Sequence, residues 1–172
     1  MTKDMRKLFM ALVLCLVSTM AFGQLNISGG GNRKTDDVKF ASDGYGAKVI
    51  FNGEKYLISV SDQYSATRIT FTIGTTADEA RTSLQQLIDW ISTSKTQEYL
   101  TLTEGDQEVT IYKHSGSAVI VSYGNAEYCK RIYNYEVAGI LLDIDFGNGN
   151  AKNPAFGYLS KGLLSKALKK IQ

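Results

Sequence analysis

From residue 38 onward the chain switches between two hydrophobic periods. Four short runs come first: Val38 to Ser42, Ala47 to Phe51, Tyr56 to Ser61, and "TRITFTI", residues 67 to 73. In the last run Ile69, Phe71 and Ile73 fall on one side, and Arg68, Thr70 and Thr72 on the other. A period of two is the mark of a half-buried strand. Asn52-Gly53, between the second and third runs, predicts a hairpin because both residues tolerate positive φ. The period then lengthens. Ala80, Leu84, Leu87, Ile88 and Ile91 recur at helical spacing. Thr76 and Glu79 stand ahead of them as a capping box, each side chain satisfying a free backbone N–H. A helix is predicted from there to about Thr93.

The second half repeats the plan. Glu98 to Thr103 and Glu108 to His114 flank "EGDQ", a second hairpin signal, and Ser117 to Tyr123 is a third strand. Residues 127 to 146, "EYCKRIYNYEVAGILLDIDF", are rich in β-formers, and Gly139 divides them into two strands or one bulged strand. Tyr128, Ile132 and Tyr135 also fit one face of a helix over 127–137. Asn153 as cap and Pro154 at the first position open the last predicted helix. Its stripe is Phe156, Leu159, Leu163, Leu164, Ala167, Leu168 and Ile171, with Lys161, Lys166, Lys169 and Lys170 opposite. The expected class is α+β: antiparallel sheet with two helices, in the order of four strands, helix, four or five strands, helix. Such an order suggests a pseudo-duplicated domain of two halves, although no residue-level repeat stands out.

The N-terminus changes the accounting. Lys3, Arg6 and Lys7 precede the apolar run Leu8 to Val17, and Ala21 and Gly23 place small residues before Gln24. This is the layout of a secretory signal peptide over 1–23. The run falls short of the ~20 apolar residues that a membrane span needs. Residues 24–37, "QLNISGGGNRKTDD", form a flexible Gly-rich lead-in, and 38–172 form one domain. "GGGNRKT" lacks the glycine directly before lysine that a phosphate loop requires. Removing 1–23 lowers Lys+Arg from 19 and Asp+Glu from 17 to sixteen each. A mature chain of zero net charge has no global attraction for nucleic acid or an anionic membrane. Cys15 leaves with the signal, so Cys129 remains without an intramolecular disulfide partner. No cofactor and no transmembrane span are expected.

Candidate chemistry is sparse. Asp143 and Asp145, in "DIDFGNGNAKNP", could start a calcium loop, but from Asp143 the fifth, sixth and twelfth positions are Gly147, Asn148 and Pro154. An EF-hand wants an oxygen ligand, glycine and glutamate there. Alternation of Ile140, Leu142, Ile144 and Phe146 favours a strand with both aspartates on its wetter face. They stay as a candidate metal pair. Cys129 with His114, the one histidine, is a candidate nucleophile pair without a local motif. Tyr123, Tyr128, Arg131, Tyr133 and Tyr135 interleave aromatics with a cation, a composition suited to a protein, peptide or glycan ligand. No residue motif ties the chain to a known family. The order of elements is similar, in topology alone, to single-stranded nucleic-acid-binding folds of the Whirly and PUR type. Export and zero net charge argue against nucleic acid as partner. The sequence therefore points to an exported, non-catalytic binding protein of a bacterium, periplasmic or at the cell surface. The alternatives are a small secreted enzyme using Asp143/Asp145 or Cys129/His114, and an assembly subunit pairing through a strand edge.

Overall fold

The structure, a computed structural model, describes residues 37–138 and 154–172. Its elements run β1 (Val38–Ser42), β2 (Lys48–Phe51), β3 (Tyr56–Ser61), β4 (Arg68–Gly74), α1 (Ala77–Thr93), β5 (Tyr99–Glu104), β6 (Gln107–Lys113), β7 (Ala118–Ser122), α2 (Ala126–Ala138), β8 (Phe156–Ser160) and α3 (Lys161–Leu168). The fold is α+β. Two antiparallel four-stranded sheets, β1-β2-β3-β4 and β5-β6-β7-β8, are each built in chain order. The halves differ in one respect: α2 lies between the third and fourth strands of the second sheet. None of the helices among the described residues is long and apolar enough to cross a membrane.

Local chemistry explains the turns. Gly53 has φ of +92°, but Asn52 does not share a positive φ. Asn52 Oδ1 instead accepts bonds from the Glu54 and Lys55 amides at 3.0 and 2.8 Å, holding a four-residue loop closed by the Phe51–Tyr56 pair. An asparagine that mimics a backbone turn with its side chain needs no left-handed conformation. The β5–β6 hairpin is tighter. Glu104 pairs with Gln107, and only Gly105 of the two turn residues has positive φ, +62°, the pattern of a type II′ turn.

One core serves both sheets. Val49, Ile58, Val60, Ile69, Phe71 and Ile73 from the first sheet meet Val109, Ile111, Val119, Val121 and Leu159 from the second. Ala80, Leu84, Leu87 and Ile91 of α1 and Leu163, Leu164 and Ala167 of α3 fill the same core. The capping box that starts α1 is intact, with Thr76 Oγ1 accepting from the Glu79 amide and the Glu79 carboxylate accepting from the Thr76 amide. The last turn of α1 has no basic residue of its own. The buried ammonium of Lys113, on β6, donates there to the Ile91 carbonyl and also to Gly116 O at 3.3 Å. A cation at the negative end of the helix dipole stabilises that end.

Alternate residues of the second sheet point away from this core. Tyr112, Ile120 and Phe156 form a second buried cluster with Tyr128, Cys129 and Ile132 of α2. Both faces of β7 and of β6 from Val109 onward are therefore buried, and β7 is apolar at every position but Ser122.

The structure decides one open reading and corrects one expectation. Residues 127–137 are helical, within α2. The Asn125 side chain accepts from the Tyr128 amide at 2.9 Å and starts that helix. Tyr128, Cys129 and Ile132 then fall on its buried face. The last helix is also shorter than expected. Phe156 to Ser160 pair with β7 as a strand, and the helix begins only after Ser160, whose hydroxyl accepts from the Leu163 amide at 3.2 Å. Val119, Ile120 and Val121 are fully buried, and β7 needs a neighbour on both edges to satisfy its backbone. That demand overrides the helical spacing of Phe156 and Leu159. Asn153, Asp143, Asp145 and the strand expected over 140–146 lie outside the described residues.

Candidate aromatic surface on the second sheet

Tyr123 and Tyr128 are structural in their contacts. β4 is an edge strand of its sheet, and the amides of Thr70 and Thr72 point away from β3. Tyr123 Oη accepts from the Thr70 amide at 3.2 Å, and the Glu104 carboxylate accepts from the Thr72 amide at 3.0 Å and its hydroxyl at 3.3 Å. Both groups sit at the C-terminal ends of parallel-running strands β5 and β7, so the end of the second sheet seals the edge of the first. Tyr128 is 4% exposed, donates to Pro154 O at 2.9 Å, and is pushed up to about 12 in pKa, first by burial. Arg131 lies over its ring, 5.7 Å from the centroid. The Tyr135 side chain is outside the described residues.

Tyr133 belongs to a longer array. It is half-buried and meets Tyr112 at 6.2 Å and His114 at 5.6 Å between ring centroids. His114 meets Tyr158 edge-on at 5.9 Å, and Tyr158 meets Phe156 at 6.1 Å and Tyr45 at 6.4 Å. Tyr64 extends the row at its other end, 5.7 Å from Phe156. Spacings of 4.5–7 Å with tilted planes are those of favourable aromatic pairs. Phe156 forms the buried floor, while Tyr45 and Tyr64 are 66% and 62% exposed.

The two exposed rings come from the other sheet. Tyr45 sits in the β1–β2 turn and Tyr64 in the β3–β4 turn, at the same end because β1 and β3 run parallel. Both turns carry one pattern: "SDGYGA", residues 42–47, and "SDQYSA", residues 61–66. In the first, Asp43 Oδ1 accepts from the Tyr45 and Ala47 amides at 3.1 and 3.0 Å. In the second, Asp62 Oδ2 accepts from Ser65 Oγ at 2.6 Å, and Oδ1 reaches across to the Phe156 amide at 2.9 Å. Each aspartate fixes its turn so that the tyrosine projects past the first sheet and over β8. Tyr133 and Arg131 were legible as candidates in the sequence. Tyr45, Tyr64 and Tyr158 were not, and the repeated Ser-Asp-x-Tyr turn is the signal that marks the first two.

The Cys129 thiol is buried beside the Ser122 hydroxyl, and burial pushes it up to about 12 while the Ser122 bond opposes that shift. Ser122 pairs with Thr110, four residues before His114 along β6. At 3.2–3.4 Å per residue the His114 backbone lies about 13 Å along β6 from the position that faces Ser122. Among the described residues no group of three or more His, Cys, Asp or Glu could hold a metal ion. Comparison of the chain with models of protein families, with curated proteins and with solved structures finds no match.

Proposed function

We propose that the chain is an exported, non-catalytic binding protein that takes a protein, peptide or glycan ligand on the aromatic row of the second sheet. The observation that carries this reading is the pair of turns that deliver Tyr45 and Tyr64, each more than 60% exposed, onto a row continued by Tyr158, His114 and Tyr133. Leaving two large rings in water forgoes burial energy of roughly 1.5–3 kcal/mol each, which a bound ligand would recover. Tyrosine suits such a surface because its apolar ring and polar tip contact both parts of a sugar or peptide. The raised thiol of Cys129 weighs against covalent catalysis by the Cys129/His114 pair.

The test is a screen of glycan and peptide arrays with the chain beginning at Gln24, followed by titration of hits against the Tyr45→Ala/Tyr64→Ala variant. Both positions lie in exposed turns, so the variant should melt close to the wild type. The expected result is loss of ligand with the fold intact. Ligands retained by the variant would place binding elsewhere. Export is tested separately, by N-terminal sequencing of protein recovered from the periplasm or medium, which should begin at Gln24.

A further inference from the structure

The edge of the first sheet carries a different surface. A groove of about 370 Å³ runs between β1 and the end of α3. Lys39, Phe40, Ala41 and Ser42 form one wall, and Lys166, Lys169 and Lys170 the other. Side chains alternate across a strand, so four consecutive residues line one groove only along the strand's edge. β1 is such an edge: its one strand neighbour is β2. No hydrogen bond joins the outward backbone of residues 38–42 to another described residue. All four lysines are exposed, none pairs with a carboxylate among the described residues, and the groove's lining includes no acid.

We propose that this groove binds an extended acidic segment of a partner protein, which adds to β1 as a fifth strand of the first sheet. An open edge supplies main-chain donors and acceptors for strand addition. Four ammonium groups on both walls supply the charge that selects the strand. The same lysines exclude a second copy of β1, because each edge would bring Lys39 against the other's cations. A bilayer or a nucleic-acid backbone could satisfy the charge, but neither offers alternating N–H and C=O groups to the strand edge. This second surface is independent of the aromatic row.

The experiment is fluorescence anisotropy with a short labelled peptide alternating glutamate with valine, at low salt, with the chain beginning at Gln24. Binding is expected, with loss in high salt. A peptide with proline at its centre should bind about tenfold more weakly, because it removes a ladder donor. Lys169→Glu/Lys170→Glu on the helix wall and Lys39→Glu on the strand wall should each weaken binding by about tenfold or more. All three positions are exposed, so circular dichroism and melting should match the wild type. No binding of the acidic peptide overturns the proposal, as does unchanged affinity in the charge variants. Equal affinity for the proline peptide, or stronger capture by phosphatidylglycerol vesicles, would reduce the groove to a general anion surface and overturns strand addition.

Discussion

At the scale of single residues, the buried hydroxyls separate tyrosines that are hydrogen-bonded from one that is not. Tyr112 is 2% exposed, and its hydroxyl has no hydrogen-bond partner among the described residues. Burial, with smaller contributions from Cys129, Tyr133 and Glu127, pushes its pKa up to about 12. Removing an unpaired buried hydroxyl costs little, whereas removing a paired one loses about 1 kcal/mol. Tyr112→Phe should therefore leave the urea midpoint unchanged or raise it, while Tyr128→Phe, which frees Pro154 O, should lower it. A larger loss in Tyr112→Phe would show that its hydroxyl has a partner. Cys129 belongs to the same scale. A thiol pushed up to about 12 holds almost no thiolate near neutral pH. Iodoacetamide should label Cys129 only after denaturation, and rapid labelling of the native protein would restore a reactive role.

At the scale of elements, the end groups decide where helices and edges stop. Thr76→Ala should cost about 1 kcal/mol, read by urea unfolding, because the Glu79 amide loses its acceptor. Its partner gives a pH signature. Bonds from the Thr75 amide and hydroxyl and from Thr76 hold the Glu79 carboxyl below the ordinary glutamate range. A depressed folded-state value means that the unfolded chain binds the proton more readily, so the contribution is present above about pH 4.3 and fades as pH falls through the lower folded value. The stability difference between wild type and Glu79→Gln should shrink along that course. A difference that persists undiminished in strong acid would place its origin elsewhere. The β4 edge gives a third measurement. Glu104→Ala leaves the Thr72 amide and hydroxyl without an acceptor and should cost about 1–3 kcal/mol. Glu104→Gln keeps one carbonyl oxygen and should cost less. Equal losses would mean that the charge, not the acceptor, matters there.

At the scale of the molecule, close approach of the two sheets depends on Gly157. A Cβ at this position would meet the Ser61 carbonyl oxygen and lie 2.6 Å from Val60 Cγ1, both on β3. Gly157→Ala should therefore destabilise by about 1–3 kcal/mol, since backbone and core must shift. Gly162, in the first turn of α3, has nothing within 4 Å of the same added atom. Gly162→Ala should raise the melting temperature slightly, by roughly 0.5 kcal/mol of helix propensity. If both substitutions behave alike, the contact between β3 and β8 is not as tight as described. Leu163→Asp tests the shared core itself. Leu163 is 2% exposed within that core, and an unpaired carboxylate there costs several kcal/mol against a total stability of roughly 5–15.

The amino-acid sequence by itself determined the elements whose signals are local. The first four strands, α1 with its capping box, and the β5–β6 hairpin follow from period, cap and turn residues a few positions apart. Tertiary structure decided the rest. "FGYLS" satisfies helical and strand spacing alike, and becomes β8 because β7 has an edge that only a strand can satisfy. Residues 127–137 carry strand-forming tyrosines, and become α2 because a helix can cover Tyr112 and Ile120 on the sheet's outer face. The aromatic row was illegible for the same reason. Its rings come from residues 45, 64, 114, 133, 156 and 158, and distance along the chain says nothing about which turns one sheet extends over the other.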